Sequence, residues 1–162
     1  MGFFDGLKLG LISALSGTLQ GVTVTGEYQP AERENPLAAR CLCVGFDEIA
    51  ADAGSVQYLG RQSEESGELY GKGVTVTVSF KVFVPVKEGG IACHEVFSQL
   101  AETLLLTGTG YRVQRLRCGE IRFERALGAY TLTALAEVKA TALCGDDTGA
   151  AIEQVEVKRR VD

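Results

Sequence analysis

Between Ile91 and Cys144 the hydrophobic period of the chain changes from helical to alternating, which fixes a fold class that combines a helix with a sheet. Cys93, Val96, Phe97, Leu100, Ala101 and Leu104 recur at helical spacing, with Glu95, Gln99, Glu102 and Thr103 on the other side. The spacing predicts one long amphipathic helix from Ile91 to Leu106. The glycine-containing run 107–110 caps it. A strand to about Arg125 follows, then the turn Ala126-Leu127-Gly128 and a second strand from Ala129. On that second strand Tyr130, Leu132, Ala134, Ala136, Val138, Ala140, Ala142 and Cys144 share a face, with Thr131, Thr133, Glu137, Lys139 and Thr141 opposite. An apolar helical stripe and an apolar sheet face must cover each other.

The first strand of this hairpin changes phase. Leu116 and Cys118 set the apolar face on even positions, whereas Ile121 and Phe123 set it on odd ones. One inserted residue near Gly119-Glu120 restores the face, so a β-bulge and a curved sheet are expected there. Upstream, Val74, Val76, Val78, Phe80, Val82 and Val84 alternate with Thr75, Thr77, Ser79 and Lys81 in the clearest strand of the chain, which Pro85 ends. Another strand is expected from Arg40 to Ile49, with Leu42, Val44 and Phe46 facing the core, and a short alternating piece from Val22 to Tyr28. The segments 29–37 and 60–68 are polar and read as loops.

The ends of the chain are less regular. Phe4, Leu7, Leu11 and Leu15 form a helical stripe across an N-terminal arm, residues 1–17, in which Gly6 and Gly10 weaken the helix. A short helix held by packing accounts for this pattern; docking on a neighbouring subunit or a membrane surface is the alternative. Asp5 and Lys8 interrupt the apolar run, and a bilayer span takes about 20 apolar residues, so neither signal peptide nor membrane anchor is expected. The tail, residues 146–162, ends in a charged segment that reads as a frayed terminus or an exchangeable edge strand. The whole is read as a single α+β domain over residues 1–162: a curved, mainly antiparallel β-sheet against one long amphipathic helix, plus a short N-terminal helix.

Several chemistries are disfavoured by what the chain contains. A net charge of -5 argues against a protein that holds nucleic acid by neutralising phosphates. The five cysteines include no Cys-x-x-Cys pair. Cys41 and Cys43 sit roughly 7 Å apart along one strand face, poorly placed for a mutual disulfide. His94, the sole histidine, cannot build a histidine-rich metal site, and its neighbour Cys93 points about 100° away around a helix. Gly71-Lys72-Gly73 and the 107–110 run lack phosphate-loop spacing, and the second follows a helix instead of opening one. No catalytic residue, metal ligand or cofactor is expected.

Charge is concentrated instead on the first hairpin strand. Arg112, Arg115, Arg117, Arg122 and Arg125 are interleaved with Glu120 and Glu124. Mixed signs at this density suit salt bridges between subunits; a plain solvated strand and a nucleic-acid contact are the alternatives.

The stretch Glu32-Arg-Glu-Asn-Pro-Leu-Ala-Ala-Arg-Cys-Leu-Cys-Val-Gly-Phe46 precedes a long alternating strand and a helix. Gly110-Tyr-Arg-Val-Gln-Arg-Leu-Arg-Cys-Gly-Glu-Ile-Arg-Phe123 and a returning strand follow. In order of elements over most of residues 25–145, the chain resembles the tail terminator or tail-completion proteins of tailed phages and phage-tail-like particles. The resemblance implies a virion structural protein, assembled in the bacterial cytoplasm, that forms a homo-oligomeric ring, usually a hexamer, at the head-proximal end of a tail tube. The ring would stop tube growth and meet a neck, connector or cap, and in contractile tails the sheath, while DNA passes through the lumen unread. On exposure and charge, the expected subunit contacts are the charged strand, the turn with Arg125 and Leu127, the loop with Arg61, Glu64 and Glu65, and Lys158, Arg159 and Arg160 in the tail. Another tail or head-tail joining component such as a tube protein, a small-molecule binding domain or divergent enzyme, and a membrane-associated protein are the competing classes.

Overall fold

The computed structural model describes residues 2–27, 37–61, 68–107 and 109–145. Helix α1 (Phe3–Thr18) is followed by strands β1 (Val22–Gly26), β2 (Arg40–Ala51), β3 (Gln57–Arg61) and β4 (Glu68–Pro85). Then come helix α2 (Ile91–Glu102) and strands β5 (Arg112–Cys118), β6 (Arg122–Glu124) and β7 (Ala129–Gly145). The strands make one mixed seven-stranded sheet in the order β1-β2-β4-β7-β5, with β3 continuing beside β4 and β6 beside β7. Among the described residues only β1 and β2 pair in parallel; the remaining neighbours are antiparallel.

The alternating strands dictate the core. Leu42, Val82 and Leu132 lie in one cross-strand row, and Val44, Phe80 and Ala134 in the next. All six are buried. Onto this face α1 brings Leu7, Leu11 and Leu15, while α2 brings Ala92, Cys93, Val96 and Leu100, so both helices share one apolar core with the sheet. Burying a Leu or Phe side chain contributes about 1.5–3 kcal/mol each, which orders α1 despite its glycines. The packed N-terminal helix is thus an integral layer of the fold.

The expectation of one long helix and a short one is corrected. Among the described residues there are two α-helices, and the N-terminal one is the longer, 16 residues against 12. After Glu102 the chain continues as a π-helical turn, Thr103–Thr107. At the junction the Thr103 hydroxyl donates to the Gln99 carbonyl at 2.9 Å, sharing that carbonyl with the Thr103 backbone N–H. The residue is also buried, not on the polar side, and meets Thr18 Oγ1 at 3.4 Å between the two helices. At the opposite end of α2, Arg40 ties β2 to the chain entering the helix through Glu88 and Glu95, each at 3.0 Å. Desolvation works against the charge, but these two carboxylates prevail and raise the guanidinium pKa.

The bulge expected near Gly119-Glu120 is present. Cys118 faces Ala134 and Arg122 faces Thr131, so four steps on one strand match three on its partner. Further register shifts interrupt β2 between Phe46 and Glu48, β3 between Tyr58 and Gly60, and β5 between Val113 and Arg115. Each inserted residue bends and twists its strand. The piece 57–61 belongs to the sheet, whereas the sequence had marked only a loop beginning at Gly60.

Candidate interaction edge

The second face of the sheet is polar. Its central rows carry Thr75, Thr77, Ser79 and Lys81 on β4, opposite Lys139, Glu137, Leu135 and Thr133 on β7. Glu27, just after β1, crosses above Gly45 to accept a hydrogen bond from Ser79 Oγ at 3.4 Å and to meet Lys81 Nζ at 3.6 Å. A Cβ at position 45 would overlap the Glu27 carboxyl group, so glycine is what lets it cross. Lower on this face, Asp52 accepts from Lys139 Nζ at 2.9 Å and from Thr75 Oγ1 at 3.2 Å. The Lys139 hydrogen bond, reinforced by the Lys139 charge and by Thr75, holds the Asp52 carboxyl below its ordinary pKa against some desolvation. Both lysines in the middle of the face are thereby matched by acids.

The β5 edge is different. Regular alternation would put Arg112 and Arg115 on opposite faces, since they are three apart. The register shift at Gln114 turns them to the same side: Arg112 pairs with Lys139, Arg115 with Glu137 and Arg117 with Leu135, all on the polar face. The three arginines are exposed and make no ion pair among the described residues. Beyond the bulge, Arg122 meets Glu120 at 2.6 Å, an exposed pair worth little to stability. Glu124 ends β6, and Arg125 and Leu127 form the turn, whose Leu127 carbonyl accepts from the Leu37 amide at 3.3 Å. The backbone of Arg61 pairs with Glu68 beside β4, on the side away from β7, so the structure does not bring it to the arginine strand. Glu64, Glu65, Lys158, Arg159 and Arg160 lie outside the described residues.

Two exposed acids occupy the opposite border of the sheet. Below the end of β1, strand β2 is the edge among the described residues, and there Asp47 and Glu48 are exposed and make no ion pair among those residues. Sequence reasoning passed over them. The signal was available, because Phe46 and Ile49 are three apart in a strand, the same odd spacing that flags the bulge at Gly119.

Apolar side chains are exposed at both ends of the strands. Val86, Ile91 and Phe123 stand at the end where β6 turns into β7, with Phe123 against Tyr130 at a ring separation of 5.5 Å. Val56, Tyr58 and Leu59 stand at the other, where Tyr58 meets Tyr70 at 5.5 Å.

The remaining reactive groups are ordinary parts of the fold. Cys93 is fully buried, and desolvation pushes its thiol above the usual range, which suppresses the nucleophilic thiolate. His94 is exposed, and its carbonyl accepts from Ser98 Oγ at 2.8 Å. Among the described residues no three His, Cys, Asp or Glu side chains converge as a metal-ligand set. No described helix is long and apolar enough to cross a membrane. The chain matches none of the protein-family models and none of the curated sequences compared with it.

Proposed function

We propose that this chain is a structural subunit that closes into a ring on the head-proximal end of a phage or phage-like tail tube, ends tube growth there, and joins the tube to a neck, connector or cap. The observation that carries the reading is the sheet's outline. One face is sealed by two helices, and two borders and two ends remain available to neighbours, with a line of exposed arginines along one border. A ring requires such unlike, complementary borders, because each subunit uses one to meet the neighbour ahead and the other to meet the neighbour behind. The order of elements, in which a long alternating strand precedes a helix and a bulged hairpin, supports the same reading through its likeness to tail terminator proteins. Self-association, the tube protein as axial partner, and a lumen through which DNA passes without being gripped follow from it. The virion tail would be the place of action.

The test is native mass spectrometry and electron microscopy of the purified protein with and without its tube protein. A closed ring seated once on each tube end is expected. A second reading, a tube-like component, is favoured by the exposed apolar residues at both ends of the strands. Open-ended stacks of rings in the absence of any other protein would select it.

A further inference from the structure

We infer that the ring contact is an electrostatic match between the two borders of the sheet, Arg112, Arg115 and Arg117 of one copy against Asp47 and Glu48 of the next. The inference rests on the ring reading and supplies its lateral partner, a second copy of this chain.

Register carries the argument. Arg115 pairs with Glu137, Glu137 with Thr77, and Thr77 with Glu48. One row therefore runs across four strands from Arg115 at one border to Glu48 at the other, a width of about 14 Å at the usual strand spacing. Equal height is what a sideways neighbour needs: a copy moved along the row and kept upright sets its Glu48 beside Arg115. Direction agrees as well. Three successive antiparallel steps separate β5 from β2, so the two borders run in opposite senses and meet antiparallel.

Both borders also carry a register shift at this height, between Val113 and Arg115 on one and between Phe46 and Glu48 on the other. Bulges and charges guard an edge against simple strand addition. The contact is accordingly made by side chains, and neighbours can be rotated relative to each other, as closure into a ring demands. Within the subunit the central lysines are occupied, Lys81 by Glu27 and Lys139 by Asp52. Among the described residues the two borders also carry charges without an ion pair, Arg112, Arg115 and Arg117 on one and Asp47 and Glu48 on the other.

Charge reversal and mutual rescue test this. One variant carries Arg115→Glu and Arg117→Glu, the other Asp47→Lys and Glu48→Lys, and both keep every core residue. Self-association is followed by analytical ultracentrifugation and by occupancy of tube ends. Each variant alone is expected to associate about tenfold more weakly than the natural chain, or worse, because attraction becomes repulsion. An equimolar mixture of the two is expected to recover association to within about twofold, since each intact border then finds its complement. Two variants that form rings as well as the natural chain overturn the contact and leave the ring reading standing. Variants that fail alone and together also overturn it. If only the arginine variant changes, and the change is lost retention on a DNA column, the border belongs to nucleic acid instead. A natural chain that stays monomeric at all concentrations and ignores tube ends overturns the contact and the ring reading together.

Discussion

Gly6 and Gly10 occupy the same helix and carry the same intrinsic cost, yet their surroundings give them opposite roles. Nothing lies within 4 Å of where a Cβ on Gly6 would sit, whereas a Cβ on Gly10 would overlap the Tyr111 hydroxyl. Gly6→Ala should therefore stabilise the protein by about 0.5–1 kcal/mol through helix propensity. Gly10→Ala gains the same amount but forces the Tyr111 ring out of its notch, an overpacking cost of about 1–3 kcal/mol. Urea denaturation should rank Gly6→Ala above the natural chain and Gly10→Ala below Gly6→Ala; equal midpoints for the two variants would remove the notch from the account. Asp52 makes a second case at this scale. Its folded pKa is depressed, chiefly by the Lys139 hydrogen bond, so the stability it lends is present above the unfolded carboxylate value and is lost as pH falls through the folded one. Denaturation midpoints measured downward from about pH 5 should fall less steeply for Asp52→Asn than for the natural chain. Parallel slopes would mean that the pair with Lys139 does not survive in solution.

Helix α1 shows how an element can be settled by packing when propensity is indifferent. Its stripe of Leu7, Leu11 and Leu15 is buried, while Leu9 between them is 47% exposed. Leu11→Ala should cost about 2–5 kcal/mol, the range for a fully buried leucine, whereas Leu9→Ala should stay within about 0.5 kcal/mol. A thermal melt separates them, and similar losses at both positions would mean that α1 does not seat on β1 and β2 as described. The same contrast explains what could be read in advance. Strands β4 and β7 were legible because one face of each is buried and the other is not, and the bulge after Cys118 was legible because apolar residues on both sides of it report the change of phase. Strand β3, with only five residues and no clean alternation, gave no such signal. The length of α2 was misjudged because Thr103 looks polar in a list of residues and becomes buried only when Thr18 is brought to it. Of the border residues, the arginines were legible as a cluster, but their common face was not, since it depends on the register shift beside Gln114.

Taken as a whole, the molecule has two kinds of surface that respond differently to solvent, and if the proposed ring forms, the difference separates its lateral from its axial contacts. Borders that meet through arginine and carboxylate side chains weaken as salt rises, because exposed charges are screened over a Debye length of about 8 Å at physiological ionic strength. Ends that meet through Ile91 and Phe123, or through Val56 and Tyr58, lose little, since burial of apolar surface does not depend on charge. Rings assembled on tube ends at low salt should lose their lateral contacts as salt is raised, whereas end-to-end binding of subunits to the tube should persist. The two ends can then be told apart, because a ring that caps a tube offers one end to the tube and the other to the next component. Ile91→Ser with Phe123→Ser and Val56→Ser with Tyr58→Ser alter opposite ends without touching the buried core. Only one of the two variants should lose binding to purified tube ends in a cosedimentation assay, and the variant that still binds identifies the end left for the neck, connector or cap. Loss in both, with solution rings intact, would place the tube contact across the height of the subunit and remove the axial division. Full binding by both would remove the apolar ends from the joint altogether.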